Sequence, residues 1–400
     1  MTALVVHADD LTGAAETAAL FRRISPLRTA LQLHCALQGE LQGELQGGTP
    51  GLTVIDLDTR NLSATDAERR ARAALETTGA PLFTKLDSML RGNYVAHLRA
   101  LDPAEHPIVL TPALPTAARR VVDGRLLIPD REPVNLYDVL GDLPVRPAGA
   151  PAGQGITVAD ASTDEDLDRL VDATWHLPGI RYAGAGGLAA ALARRLTTHP
   201  TTPATLEATG ILYVVGTAEP IAQHQLDALQ EQTHLEMVTV TPPWTPAGFT
   251  PPTSGGSGAP STPGALLGEA EVGPLVRVLA DGGTVVLKAP VDSHEPAAVA
   301  RALAAVAREV LADGNGRAAL VLTGGHTART VLDALGIRQL EVVDEIHHGA
   351  VLSRTGDGRP VVTRPGSFGE RSSFADIHTA IHTAVHAVLR PHSVRKATTS

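Results

Sequence analysis

The segment Ala8-Asp9-Asp10-Leu11-Thr12-Gly13-Ala14 joins an apolar run, Leu4-Val5-Val6, to an alanine-rich stretch from Ala15 to Arg23. Two adjacent carboxylates can accept a proton, and a hydroxyl with glycine amides at a helix start suits an anion. The order reads as strand, acidic turn, helix. It puts both carboxylates at the carboxyl end of a buried parallel strand, where open α/β sheets bind ligands. Asp and Thr are also ordinary helix N-caps, but one cap needs neither two carboxylates nor a glycine.

A second block, Lys85-Leu86-Asp87-Ser88-Met89-Leu90-Arg91-Gly92-Asn93, follows the apolar Pro81-Leu82-Phe83. A buried strand should not end in so many polar groups without a ligand or a network to satisfy them. Asp58-Thr59-Arg60 follows Val54-Ile55-Asp56-Leu57, and Pro112-Ala113-Leu114-Pro115 follows Ile108-Val109-Leu110, with Arg119 shortly after. Arg60, Lys85, Arg91 and Arg119 are thus expected to converge on the carboxyl edge of one sheet. Each arginine alone is more often solvated. Together they would offset the chain's net charge of −10 locally and fix an anion.

The second half carries glycine turns. Leu320-Val321-Leu322-Thr323-Gly324-Gly325-His326-Thr327 reads as strand, turn, helix start. Val214-Val215-Gly216-Thr217-Ala218-Glu219 repeats that logic, and Arg364-Pro365-Gly366-Ser367-Phe368-Gly369 adds a third turn. Glycines let backbone amides approach phosphate, although their commoner use is the tight turn itself. Neither the P-loop pattern nor the dinucleotide fingerprint is present. Three such turns point to a phosphate-rich ligand such as a nucleotide. The sixteen histidines raise the question of metal. His378, His382 and His386 form a stripe on an expected helix, and with His347-His348 they offer no third distinct ligand, so no protein metal site is expected.

These residues need elements to position them. Strand-like runs at 3–8, 52–57, 81–86, 107–111, 156–160 and 180–184 alternate with helix-like runs such as 65–78 and 164–175. A second series has strands at 211–216, 235–240, 284–289, 318–323 and 340–346, and helices near 219–230, 294–312, 326–335 and 373–389. This alternation is the signature of parallel α/β units. The expected fold class is α/β: two tandem α/β domains with mainly parallel sheets and a cleft between them. Thr197 to Pro203 reads as the boundary. The Leu-Gln-Gly-Glu repeat from Leu37 to Gly48 reads as a surface loop. Pro242 to Gly264 reads as a flexible connection, and Ser393 to Ser400 as a disordered tail.

Composition narrows the function classes. Aromatic residues make up 3% of the 400 residues, too few for a base-stacking surface. The negative charge also disfavours nucleic acid and membrane surfaces. No apolar run approaches the roughly 20 residues of a membrane span. No basic n-region precedes the first strand, so a cytoplasmic location is expected. The single cysteine, Cys35, excludes an intramolecular disulfide.

Taken together, the motifs resemble the four-carbon acid sugar kinases, which phosphorylate threonate, erythronate or 3-oxo-tetronate. The A-D-D-x-T-G opening matches Ala8 to Gly13. The K-[IL]-D-S-x-x-R-G-N block matches Lys85 to Asn93 at every fixed position, and P-A-x-P-x-x-x-R matches Pro112 to Arg119. Gly184 to Ala189 is similar to the family's glycine turn, Thr323 to Thr327 to its G-G-[DE]-T loop, and Gly366 to Gly369 to its late G-x-F-G. The first two matches are specific, and the resemblance covers nearly the whole chain. Four positions depart from the pattern. His326 replaces an acid, Arg364 a lysine and Thr217 a serine, and residues 345–349 lack a proline.

The resemblance implies a sugar-acid domain over 1–203 and an ATP domain over 204–392. ATP contacts would fall on Thr217, Gly324, Gly325, His326, Thr327 and Gly366. The expected reaction is ATP-dependent phosphorylation of the acid's terminal hydroxyl, with Asp10 or Asp9 as general base. Arg60, Lys85, Arg91 or Arg119 would clamp the acid's carboxylate, with Thr12, Asp87, Ser88 and Gly92 completing its site. Mg²⁺ would bridge the phosphates, and domain closure would exclude water. A non-catalytic sugar-acid binder with a degenerate nucleotide half is the rival reading. A nicotinamide-dependent oxidoreductase is a third. A homodimer is the default assembly.

Overall fold

The computed structural model describes residues 4–24, 29–33, 51–79, 81–196, 206–241, 269–290, 295–312 and 317–387. Cys35, the Leu37–Gly48 repeat, the Thr197–Pro203 boundary, the Pro242–Gly264 connection and the Ser393–Ser400 tail lie outside these residues. The chain forms two compact units. One is Met1–Ala204 with Arg338–Asp357, and the other is Thr205–Ile337 with Gly358–Ser400. Each is described separately.

In the first unit the chain runs through β1 (Leu4–Ala8), α1 (Leu11–Ile24), β2 (Thr29–Leu33), β3 (Leu52–Asp56), α2 (Ala64–Thr78), β4 (Phe83–Lys85), α3 (Tyr94–Ala100) and β5 (Pro107–Thr111). A three-stranded antiparallel sheet follows, made of β6 (Arg120–Val122), β7 (Arg125–Leu127) and β8 (Val134–Asn135). Then come α4 (Leu136–Val139), β9 (Gly155–Val158), α5 (Asp164–Thr174), β10 (Arg181–Gly184) and α6 (Gly186–Arg195). The main sheet of this unit runs β2-β3-β1-β4-β10-β5-β9, all parallel.

The second unit contains β11 (Ile211–Val215), α7 (Pro220–Gln230), β12 (Leu235–Thr239), α8 (Glu269–Ala280), β13 (Thr284–Lys288), α9 (Pro296–Ala312), β14 (Ala319–Thr323) and α10 (Gly325–Ala334). After β15 (Gln339–His347) and β16 (Ala350–Arg354), which belong to the first unit, come β17 (Pro360–Arg364) and α11 (Ser373–Ala387). Its sheet runs β12-β13-β11-β14-β17, again all parallel.

Local chemistry accounts for these elements. The strands Ile-Leu-Tyr-Val-Val and Ala-Leu-Val-Leu-Thr are buried at every position, as expected for strands covered on both faces. In the first unit α2 buries the small residues Ala67, Ala71 and Ala74, of which Ala71 and Ala74 pack with Ile55 and Leu57 at the end of β3. Ser63 caps α2 by accepting the Asp66 amide, and Thr163 and Asp166 form a capping box at α5. Both units have the same order at their centre. Their first strands, β1 and β11, lie where the chain switches from building one side of the sheet to the other. In such sheets the carboxyl edge at that switch is the natural ligand position.

One segment lies apart from its sequence neighbours. The sequence reading placed residues 338–357 in the second domain. Instead β15 pairs antiparallel with β2, Leu340 opposite Leu31, so the β15–β16 hairpin extends the first sheet. Among the described residues no helix is long and apolar enough to cross a membrane.

Candidate functional site

The switch point of the first unit gathers the acidic and basic residues singled out by sequence. Asp9 and Asp10 follow β1, Arg60 follows β3, and Lys85 ends β4 directly beside Ala8 of β1. Arg60 forks onto Asp9, with Nε and Nη2 donating to the two carboxylate oxygens at 2.9 Å each. Its Nη1 donates to Asp10 Oδ2 at 2.5 Å. Such bidentate pairs fix geometry as well as charge. Burial pushes the Asp9 carboxyl above its ordinary value while Arg60 pulls against it. Burial alone would lower Arg60, but Asp9 and Asp10 outweigh it and hold the guanidinium charged.

Asp10 is also the cap of α1. It accepts the Gly13 amide on Oδ1 at 2.9 Å and the Thr12 hydroxyl on Oδ2 at 2.8 Å. The ordinary capping role and the charged role therefore coexist in one side chain. Gly13 allows this crowding: a Cβ there would stand 2.7 Å from Asp10 Oδ1 and 3.4 Å from Lys85 Nζ.

The Lys85–Asn93 block forms the next layer. Asp87 accepts Nε and Nη2 of Arg91 at 3.0 and 2.7 Å, and the amides of Met89 and Arg91. Burial raises its pKa, but the Arg91 hydrogen bonds prevail and bring it down to about 2. Arg60 Nη2 lies 3.9 Å from Asp87, which links the two ion-pair clusters. Arg119 Nη1 donates to the Ser88 hydroxyl.

Gly92 and Asn93 shape the loop that carries Arg60. Gly92 has φ +81°, and a Cβ there would meet Arg60 Cγ at 3.0 Å. Asn93 Nδ2 donates to the carbonyls of Thr59 and Leu62 at 2.8 and 2.9 Å. Buried His97 holds the Thr59 hydroxyl at 2.6 Å, while the amides of Thr59 and Arg60 donate to the Asp9 carbonyl. Sequence reasoning missed His97. Its only signal was its place four residues after Asn93 on the same helix face.

The expected basic cluster is thus an interleaved one, with three carboxylates facing four basic side chains. Arg60 and Arg91 are committed to Asp9, Asp10 and Asp87. Two cations keep unspent donors. Buried Lys85 donates, among the described residues, only to the Leu86 carbonyl at 3.2 Å. Arg119 has a buried Nε with no partner. A separate cavity of about 530 Å³ in this unit is lined by Glu16, Leu114, Gly186, Gly187, Arg194 and His348, and by none of the network residues.

In the second unit the switch point is made of backbone. Gly324, with φ +94°, precedes α10 and donates its amide to the Arg364 carbonyl at 3.0 Å. Gly325 opens the helix, Thr327 is buried, and His326 is exposed. Thr217 accepts the Glu219 amide at 3.2 Å, and a Cβ on Gly366 would lie 2.8 Å from its hydroxyl. Thr217 and Gly366 therefore pack together after different strands. Arg364 is fully buried. His378 and His382 stack edge to face at 4.5 Å on α11. Among the described residues no three His, Cys, Asp or Glu side chains are grouped as for a metal ion.

Two family models match the chain. Residues 4–139 match a sugar-binding N-terminal domain, and residues 271–374 a nucleotide-binding C-terminal domain. A D-threonate kinase of Cupriavidus necator is 28% identical over 92% of this chain and 95% of its own length. A D-threonate kinase of Bordetella bronchiseptica is 31% identical over 92% of this chain and 94% of its own. The solved structure of Haemophilus influenzae protein HI1011 shares the fold, with a TM-score of 0.69 at 18% identity, covering 94% of this chain and 100% of that one.

Proposed function

The chain belongs to the four-carbon acid sugar kinase family, and on that premise we propose that it transfers the terminal phosphoryl group of ATP to a hydroxyl of a four-carbon sugar acid. The observation that supports this most is the pair of unspent cations, Lys85 and Arg119, beside a fixed carboxylate network at the switch point. An acid's carboxylate would take those donors. Ser88 and Thr12 would hold hydroxyls. Arg60 and Arg91 act one step back, since their charges already hold Asp9, Asp10 and Asp87 in place.

Between the two candidate bases the geometry favours Asp10. Both carboxylates accept hydrogen bonds on both oxygens, so exposure separates them: the Asp9 side chain is 4% exposed. Asp10 is 19% exposed. It would take the hydroxyl proton as the new oxygen–phosphorus bond forms, while the bond to the departing ADP breaks with its electron pair. Phosphoryl transfer needs such positioning and charge stabilisation more than covalent help from the protein.

ATP would lie against Gly324 and on the amide of Gly325 at the start of α10, with His326, Thr327, Thr217 and Gly366 around it. The left-handed Gly324 and the close approach of Gly366 to Thr217 fit that use. Mg²⁺ would arrive on the phosphates, held by their oxygens and by water, since it needs few protein ligands.

The test is ADP release from Mg²⁺-ATP against a panel of four-carbon sugar acids, with a no-acid control. ADP formation that depends on one acid supports the reading and identifies the substrate. No ADP with any acid, with thermal stabilisation by an acid alone, would make the chain a binding protein.

A further inference from the structure

We propose that Arg364 and Gln225 are positioning residues for the phosphoryl donor, tying the two glycine turns of the second unit together and keeping a buried positive charge for the donor's phosphates. This rests on the nucleotide reading above. Arg364 ends β17 opposite Thr323 of β14. Its carbonyl accepts the Gly324 amide at 3.0 Å, which sets the first turn. Its side chain sets the second. Nη2 donates to the Phe368 carbonyl, and Nη1 donates to Gln225 Oε1 at 2.7 Å. Gln225 Nε2 in turn donates to the carbonyls of Phe368, Gly369 and Glu370 at 3.2, 3.0 and 2.9 Å. One residue thus holds Gly324 by its backbone and the Gly366–Gly369 turn by its side chain.

The choice of arginine is what calls for a ligand. Arg364 is 1% exposed, and its guanidinium stacks on Phe374 at 4.7 Å. No carboxylate pairs with it among the described residues, and its Nε has no partner. Burying a charge on neutral acceptors alone is costly. An apolar side chain would fill the space without that cost, and a glutamine would still reach a carbonyl. A phosphate chain at the turns would recover the cost. Burial lowers the Arg364 pKa to about 10, against the opposing influence of Tyr213, which still leaves it charged at neutral pH.

The experiment measures KM for ATP and for the acid, kcat, and ADP affinity by titration calorimetry in R364K, R364Q and Q225M. R364Q loses both the fork and the charge, so ATP KM and ADP Kd should rise by more than about tenfold, in line with loss of a charge-assisted bond. R364K keeps the charge and Q225M keeps the arginine, so each should fall between R364Q and the parent. KM for the acid should stay within about twofold. A folded R364Q that binds ADP as the parent does overturns the inference. If R364Q does not fold, unchanged ADP affinity in Q225M overturns it equally. A parent chain that binds no ADP would overturn the nucleotide reading itself, and this inference with it.

Discussion

The two units share a strand order around their first strands yet furnish the same edge with opposite chemistry. At β1 the edge is built of side chains: Asp9, Asp10, Arg60, Lys85 and Asp87 lie in a network in which most charges already have partners. At β11 and β14 it is built of backbone, with glycine turns held from below by one buried arginine. The difference follows from what each would bind. A small chiral acid must be read hydroxyl by hydroxyl, which needs several fixed side chains. A phosphate chain is read by amides and overall charge. The cations left with unspent donors in the first unit, Lys85 and Arg119, mark where its ligand charge would go.

The sharpest way to break this contrast is Asp10→Asn. Asparagine can still accept the Gly13 amide and cap α1 but gives up the charge facing Arg60, so the chain should stay folded with a modestly lower melting temperature. The kcat should fall by about 10²- to 10⁴-fold, the usual contribution of a general base. A near-parental kcat would remove Asp10 from that role. Lys85→Met should raise KM for the acid by about 10- to 100-fold and leave KM for ATP unchanged, from loss of a charged hydrogen bond. Arg91→Met should do less, because Arg91 is 64% exposed and acts through Asp87. Gly92→Ala forces an alanine to φ +81° against Arg60, and should cost about 1–2 kcal/mol in denaturant unfolding.

The smallest effect concerns pH. Burial lowers His97 to about 4, and burial with the nearby His97 lowers His7 to about 3. The unfolded chain binds protons at these residues near pH 6.5, whereas the folded chain does not until far lower. Their contribution to stability is therefore complete above about pH 6.5 and is lost as the pH falls. The slope is about 1.4 kcal/mol per pH unit for each, down to about pH 4. Urea midpoints between pH 7 and 4.5 should show this slope, and His97→Gln should reduce it. An unchanged slope in that variant would mean His97 is not buried as a neutral ring.

Much of this was legible in the sequence for physical reasons. Continuous apolar runs such as Leu320–Leu322 end in polar turns, so strands and their carboxyl ends could be placed, and with them Asp9, Asp10, Lys85 and Gly324. Pairing across long separations was not legible. Nothing local says that Leu340 lies opposite Leu31, so the β15–β16 hairpin went to the wrong unit. Short β2, Thr-Ala-Leu-Gln-Leu, lacks the β-branched run of its neighbours and passed unnoticed. The partners of the arginines were equally hidden. Arg60 and Arg91 read as free cations, but carboxylates take them up. Arg364 read as a departure from a pattern, and only the fold brings it to Gln225, 139 positions earlier.

The central claim is that the acid is held by side chains in the first unit and the nucleotide by backbone turns in the second. Titration calorimetry of the parent, Lys85→Met and Gln225→Met chains with the acid and with ADP tests it most directly. The account predicts a crossed pattern: Lys85→Met loses affinity for the acid only, and Gln225→Met for ADP only. Equal loss of both ligands in either folded variant, or of neither ligand in both, would contradict it.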